Sequence, residues 1–295
     1  MSADILTSTA TRDAATLTRA LYAMPANACD GHVHVFGPES HYPRVPHPHY
    51  TLPDGEPPLL RAMGDALGLR RFAIVQPSYY GTDNRCMLDG LDALGDRARG
   101  VAMVDDEITD AALHALHERG VRALRLDLFL RAQWSTADIV AYVHRSIQRI
   151  RPLGWHVQFY TPGYVVRELI PHLAGFEADF VIDHMGYMLA SDGLTRSDFD
   201  RLIDAMRASG RGWMKLSGPY RVAKDGNFER LRPLAEAIVD ALGERTIWGS
   251  DWPHIPNGQM DTGGLLNLLG DWVPDAAARD RILAHNPARL YGFDA

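Results

Sequence analysis

Short runs rich in β-branched and aromatic residues alternate along this chain with longer stretches of helical apolar spacing, and the alternation repeats eight times. The runs predicted as strands are 29–36, 71–78, 100–105, 121–128, 156–161, 179–185, 212–218 and 245–251. Helical patterns fill 110–120, 136–151, 196–209 and 228–242. Strands alternating with helices predict a parallel sheet, and eight such units predict a closed barrel. The expected fold class is therefore α/β, a (β/α)8 TIM barrel in a single domain over 29–295. Residues 1–28 read as a short N-terminal extension with one or two helical turns around Ala14–Leu21. The units differ in sequence, so the chain carries no internal repeat.

The period of two within each run predicts which side chains enter the barrel. In 121–128, Leu124, Leu126 and Leu128 form one apolar set facing the helices. Arg125 and Asp127 form the other set and point inward. In the first run His32 and His34 share one face, with Val33 and Val35 on the other. Polar residues facing inward at the C-terminal ends of strands are where barrel active sites are built. The segment 37–56 is long for a strand-to-helix connection and dense in Pro and His, which predicts a lid over the barrel mouth.

The length of 295 residues suits one such barrel, which commonly runs to about 250. A net charge of −7 without any run of Lys or Arg argues against a nucleic-acid partner. No apolar run approaches the ~20 residues needed to span a bilayer, so no membrane partner is expected. Cys29 and Cys86 do not make a disulfide framework, and the N-terminal residues lack the basic start and apolar core of a signal peptide. The expected location is the cytoplasm. Assembly into a homo-oligomer stays open.

Four signals carry chemistry. The first is Asp30-Gly31-His32-Val33-His34. Histidines at i and i+2 on a strand project side by side, about 6–7 Å apart. They suit joint coordination of one metal or joint polarisation of one substrate oxygen; an ordinary pair of strand-end histidines is the plainer alternative. The second is His184, which ends the apolar run 179–185. Alone it reads as structural, but it falls on strand six of the same barrel. The third is Asp251 in Trp248-Gly249-Ser250-Asp251-Trp252-Pro253-His254, at the end of strand eight. It could ligate a metal, act as general base toward water, or cap a turn. His32, His34, His184 and Asp251 would converge on one mouth. The fourth is Arg125, Arg131 and Arg221 near strand ends. Guanidinium groups grip carboxylates in bidentate fashion, so these predict a small anionic substrate, with a dicarboxylate one candidate; ordinary ion pairing on the surface is the plainer alternative. Tyr160, and the stretch from Ser78 to Asn84, add substrate contacts or packing.

These residues sit in motifs that resemble the amidohydrolase-2 branch of the amidohydrolase superfamily. The landmarks are DGHVHVFGP, VQPSYYGTDN, GWHVQFY, VIDHMG, MKLSGPYR, WGSDWPH and HNPARLYGF, running from about Cys29 to the C-terminus. Within that branch the likeness is to lactonases of pyrone dicarboxylates, which implies a role in aromatic compound catabolism. The resemblance implies that Asp251 is the general base and that His32, His34 and His184 surround the reacting carbonyl. It implies that Arg125, Arg131 and Arg221 hold substrate carboxylates, with Tyr160 a further contact. Many members of the superfamily place a metal-ligating His at the end of strand five; here that end carries Tyr160, and His156 begins the strand. The lactonases it resembles work without a divalent metal, so no cofactor is expected. A single Zn²⁺ or Mn²⁺ held by His32, His34, His184 and Asp251 is the alternative.

The expected activity is hydrolysis of the lactone ring of a small carboxylated substrate such as 2-pyrone-4,6-dicarboxylate, Asp251 activating water. The rivals are a sugar-acid or sulfonated lactone, metal-dependent decarboxylation of an aromatic or muconate-type acid, and a non-catalytic barrel that binds a ligand.

Overall fold

The computed structural model describes residues 10–46, 52–189, 194–256 and 258–294. Eight parallel strands follow one another around the sheet in chain order. They are β1 (Cys29–Val33), β2 (Arg71–Val75), β3 (Ala98–Ala102), β4 (Val121–Asp127), β5 (His156–Tyr160), β6 (Phe180–Ile182), β7 (Gly212–Ser217) and β8 (Thr246–Gly249). Helices α1 (Pro57–Leu67), α2 (Arg85–Leu94), α3 (Asp110–Glu118), α4 (Thr136–Ile150), α5 (Gly163–Leu169) and α6 (Arg196–Ser209) follow β1 to β6 in turn. After β7 come the one-turn α7 (Pro219–Val222) and then α8 (Arg232–Leu242). After β8 come α9 (Thr262–Trp272), α10 (Ala276–Asp280) and α11 (Asn286–Tyr291). This is the expected (β/α)8 barrel.

The sheet closes where β8 meets β1. The Asp251 amide donates to the His32 carbonyl at 2.9 Å, and the His34 amide donates to the Trp252 carbonyl at 2.8 Å. Gly249 permits this approach: a Cβ there would lie 2.6 Å from the His32 Cβ.

The helices form for local reasons as well as packing ones. In α4 the buried residues Ile139, Tyr142, Val143, Ile147 and Ile150 recur at three- and four-residue spacing, and Ser135 caps the start by accepting from the Asp138 amide. In α6 Thr195 and Asp198 form a capping box, and Gly210 ends the helix in the left-handed region at φ 66°.

Two apolar layers result. Cys29, Ala73, Val75, Val101, Ala123, Val181, Trp213 and Ile247 fill the lower barrel, packed on Tyr291 and Phe293. A larger layer between strands and helices includes Phe72, Ile74, Leu124, Leu126, Phe159 and Leu216. Leu124 and Leu126 thus face outward, as the period of two predicts. In β1 simple alternation from the inward Cys29 would put Val33 inside. The register runs Asp30 opposite Phe72 and then Val33 opposite Ile74, so β1 carries one extra residue. That bulge reverses the phase: Val33 and Val35 join the outer layer and the two histidines enter the barrel.

Some element bounds differ from the sequence reading. β6 stops at Ile182, because His184, Met185 and Tyr187 have φ near +52° and leave the extended conformation. Residues 228–231 form a 3-10 turn before α8. Only one short 3-10 turn, Ala14–Thr16, stands where one or two helical turns were expected. Beyond it α9 takes the backbone instead: the Thr18 amide donates to Asp261 and the Leu21 amide to Asn267. Of the segment 37–56, residues 47–51 lie outside the described residues. Its flanks pack beside the turn after β2, with the Val45 amide donating to the Tyr79 carbonyl at 2.8 Å. No helix among the described residues is long and apolar enough to cross a membrane.

Tyr291 is fully buried at the lower end and donates to the Gly31 carbonyl at 3.2 Å. Tyr291→Ala should therefore lower stability by about 3–5 kcal/mol, the usual cost of removing a buried ring. Urea denaturation measures this; an unchanged midpoint would show that the ring does not support the barrel.

Candidate active site

Seven of the nine residues expected to act line one cavity of about 320 Å³ at the C-terminal end of the barrel: His34, Ser78, Arg125, Tyr160, His184, Arg221 and Asp251. His32 lies just beneath them, fully buried. Arg131 is not among the lining residues. Its guanidinium rests 4.3 Å from the Tyr142 ring and 5.2 Å from Trp134, and it donates to the Asp127 carbonyl at 3.0 Å. None of the described parts of the 37–56 segment lines this cavity.

Asp251 is held by one oxygen. Its Oδ2 accepts from the Tyr220 hydroxyl at 2.6 Å and from Arg221 Nε. Its Oδ1 has no hydrogen-bond partner and lies 3.5 Å from His34 Nε2 and 3.7 Å from His32 Nε2. Burial pushes the carboxyl up, but Arg221, His184 and His34 outweigh it and hold Asp251 well below the usual carboxylate range. The group is a carboxylate at neutral pH with one oxygen committed to its anchors. Its backbone stands at φ 66°, in the left-handed region that non-glycine residues enter only when their surroundings fix them.

The imidazoles are fixed from behind. His34 Nδ1 donates to the Val75 carbonyl at 2.7 Å, which leaves Nε2 as an acceptor facing Asp251. His184 Nδ1 pairs with Ser217 Oγ at 2.9 Å, and its ring lies 4.8 Å from that of His32. Gly218 makes room for it: a Cβ there would come within 2.8 Å of His184 Nδ1. Burial lowers His184 to about 4 in spite of Asp251 and Asp183.

The arginine side of the cavity is equally plain. Arg125 is 5% exposed, sits 4.1 Å over the Tyr160 ring, and leaves Nε and Nη1 without hydrogen-bond partners. Asp127 beside it is already engaged by the Ser78 hydroxyl and, at 3.1 Å, by the Leu130 amide. Phe129 packs 4.5 Å from Tyr160 and 5.4 Å from Tyr187, giving the mouth an aromatic wall.

A set of deeper residues escaped the sequence reading. Lys215, fully buried on β7, donates to Gln158 Oε1 at 2.7 Å and lies 3.2 Å from both His32 Nδ1 and Asp183 Oδ1. Gln158 in turn donates to Asp183 Oδ2 at 3.0 Å. Burial lowers Lys215 while Asp183 pulls it up. Burial raises Asp183, but Lys215 and His32 hold it well below the usual range. Two signals pointed here. Lys215 stands inside the apolar run GWMKLSG, where a lone charge must face a partner. Asp183 directly precedes His184. Tyr220, the anchor of Asp251, precedes Arg221 and left no comparable sign.

Among the described residues, two buried groups have the spacing to hold a metal ion: His32, Asp183 and His184, and His32, His34 and Asp251. Two imidazoles with a carboxylate suit Zn²⁺ or Mn²⁺. Both groups need His32, however, and the ammonium beside Nδ1 commits it. An ammonium only donates, so its hydrogen bond to His32 needs Nδ1 as the acceptor, while Asp183 Oδ1, 3.4 Å from the same nitrogen, draws a proton there instead; neither arrangement leaves Nδ1 free for a metal. A dication about 4 Å from that ammonium would also meet repulsion of roughly 8 kcal/mol at an effective dielectric of 20. The residues present do not fit a divalent ion while Lys215 is in place.

A parallel eight-strand barrel with inward histidines on β1, another after β6 and a carboxylate after β8 defines an amidohydrolase-type hydrolase. The chain belongs to the amidohydrolase family, whose profile matches residues 29–293. It is 33% identical over 282 residues to the 2-pyrone-4,6-dicarboxylate hydrolase of Comamonas testosteroni, covering 92% of each chain. It is 33% identical over 276 residues to the 4-sulfomuconolactone hydrolase of Rhizobium radiobacter, again covering 92% of each. Among solved structures it resembles an Acinetobacter baumannii protein assigned as a 2-pyrone-4,6-dicarboxylic acid hydrolase and solved with citric acid bound. That likeness has a TM-score of 0.78 and 25% identity, over 90% of this chain and 100% of that one.

Five buried histidines stay neutral in the fold: burial holds His156 at about 3 and His184 and His254 at about 4, and lowers His32 and His34. Each takes up a proton on unfolding once the pH drops below about 6.5. Stability is then lost as pH falls from about 6.5 toward 4, by roughly 1.4 kcal/mol per pH unit for each of His156, His184 and His254, with His32 and His34 adding in the same direction. Asp30, raised by burial to about 7, acts in the opposite direction across that range. Five groups outweigh one, so the urea midpoint should be lower at pH 5 than at pH 7. A midpoint that rises at pH 5 would mean that these imidazoles are charged in the native state.

Proposed function

We propose that this protein hydrolyses the lactone ring of a small dicarboxylate, with 2-pyrone-4,6-dicarboxylate the first candidate, and does so without a metal in the chemical step. The observation that carries the reading is Arg125, a buried guanidinium with two unpartnered nitrogens lining the same cavity as Asp251. A buried cation without an anion is costly, and a substrate carboxylate supplies the missing charge. Arg221, anchored to Asp251 through Nε, takes the second carboxylate with the rest of its guanidinium. The wall of Tyr160 and Phe129 suits the flat face of a conjugated ring.

The chemistry follows from the fixed atoms. Asp251 Oδ1 and His34 Nε2 are two acceptors 3.5 Å apart, and a water between them can donate to both. Asp251 takes one proton as the water oxygen adds to the lactone carbonyl. His32, through Nε2–H, and His184 stabilise the charge growing on the carbonyl oxygen. The ring C–O bond then breaks, and Asp251 returns the proton to the leaving oxygen. Tyr220 and Arg221 hold the other carboxylate oxygen still throughout. Ser78 orients Asp127 at the cavity edge.

A sulfonated muconolactone is the second reading, favoured by the identity to the Rhizobium radiobacter hydrolase. A sulfonate would meet the same guanidinium groups.

Chelator-treated protein should remove the ultraviolet absorbance of 2-pyrone-4,6-dicarboxylate; no loss, with or without added zinc, would move the substrate elsewhere. Asp251→Asn should lower kcat by about 10²–10⁴-fold with the fold intact. Near wild-type turnover would remove Asp251 as the base. Arg125→Met should raise KM by about 10–100-fold, the worth of a charged hydrogen bond. Arg131→Met, outside the cavity lining, should change KM far less. Equal effects from the two arginine variants would put both guanidiniums on substrate.

A further inference from the structure

We propose that Lys215 is the resident cation of this site: it fixes His32 as the Nε2–H tautomer and keeps a divalent ion from closing on His32 and Asp183. The inference deepens the metal-independent part of the proposed function and does not depend on which lactone is cleaved.

The argument is one of donors and acceptors. An ammonium has three donors and no acceptor. Lys215 Nζ is surrounded by three acceptors, Gln158 Oε1 at 2.7 Å and His32 Nδ1 and Asp183 Oδ1 at 3.2 Å, and it stands nearer to each of the last two than their own separation of 3.4 Å, so the ammonium rather than the carboxylate is the closer partner of Nδ1. Gln158 cannot turn its amide around without cost, because its Nε2 is held by Asp183 Oδ2 at 3.0 Å. With Nδ1 accepting, a neutral imidazole has one place for its proton, Nε2, which lies 3.7 Å from Asp251 Oδ1. The residue below the cavity is thereby made a donor toward the reacting atoms rather than a ligand. All four side chains of the network are fully buried, so no bulk water offers a substitute partner. Lys215 is not among the residues lining the cavity and acts through His32, which makes it a positioning residue. The same ammonium lies against Asp183 Oδ1, a member with His32 and His184 of one candidate ion group. A fixed positive charge thus occupies the ground that a metal would need.

Two measurements on ligand-free protein test this. Long-range ¹H–¹⁵N correlation spectra of histidine-labelled wild type at neutral pH should show His32 as a neutral Nε2–H imidazole. Finding Nδ1–H would overturn the inference, and this readout needs no variant. Calorimetric titration with zinc alone should show affinity at least about tenfold higher in Lys215→Met than in wild type, the scale on which neighbours of metal ligands act. Should Lys215→Met fail to fold, Lys215→Gln keeps a neutral donor in place and should likewise bind zinc more tightly. Equal zinc affinity in wild type and in the folded variant would overturn the exclusion of a metal by Lys215. Loss of pyrone hydrolysis under chelation would instead strike the proposed function, since both measurements here are made without substrate.

Discussion

The barrel closes through the backbone of the residues proposed to do its chemistry, and much of the site depends on that seam. The Asp251 amide is bonded to the His32 carbonyl, and the His34 amide to the Trp252 carbonyl. Closing the sheet and bringing the β8 carboxylate against the β1 histidines are therefore one event. Asp30 reinforces the seam by accepting from the Ser250 amide at 2.8 Å. Once the seam is set, the positive φ of Asp251 turns its carboxylate back over the barrel axis toward both imidazoles. A strained backbone persists there because the hydrogen bonds on either side over-determine it.

Around the seam, buried charges of opposite sign alternate. Arg221 sits on Asp251, the neutral imidazoles of His34 and His32 lie between, and Lys215 sits on Asp183. Burying such charges is expensive, and pairing at best offsets the loss of water. The arrangement is better understood as fixing geometry than as adding stability. Each carboxylate has one oxygen, Asp251 Oδ2 or Asp183 Oδ2, tied to a donor. For Asp251 this leaves a single oxygen facing the histidines. Arg125 breaks the alternation, with Nε and Nη1 unpartnered, and the proposed substrate carboxylate would complete it.

Most of the barrel was legible in the sequence because period-two and helical patterns are local properties. Arg125 and Asp127 could be placed inside from Leu124 and Leu126 alone. His32 and His34 were placed on the right face, although the bulge that puts them there could not be seen. Lys215 was visible as a charge in an apolar run, yet nothing local named its partners, which come from β1, β5 and the residue after β6. Arg131 lies four residues past Asp127, the last residue of β4, in a turn, where strand alternation no longer governs direction. Its guanidinium rests on the Tyr142 ring of α4.

The sequence by itself determined the eight-unit order, the inward face of most strands and the residue types that meet at the mouth. These follow from side-chain periodicity and from the rule that polar groups inside a barrel need partners. Only the tertiary structure decided which oxygen of Asp251 is held, which nitrogen of His32 can donate, and that an ammonium stands beside the histidine. Those are outcomes of strand register and barrel closure, which bring atoms from distant segments within about 3 Å, a hydrogen bond's length. Protonation and metal fit are set at that distance, and no pattern along the chain encodes it.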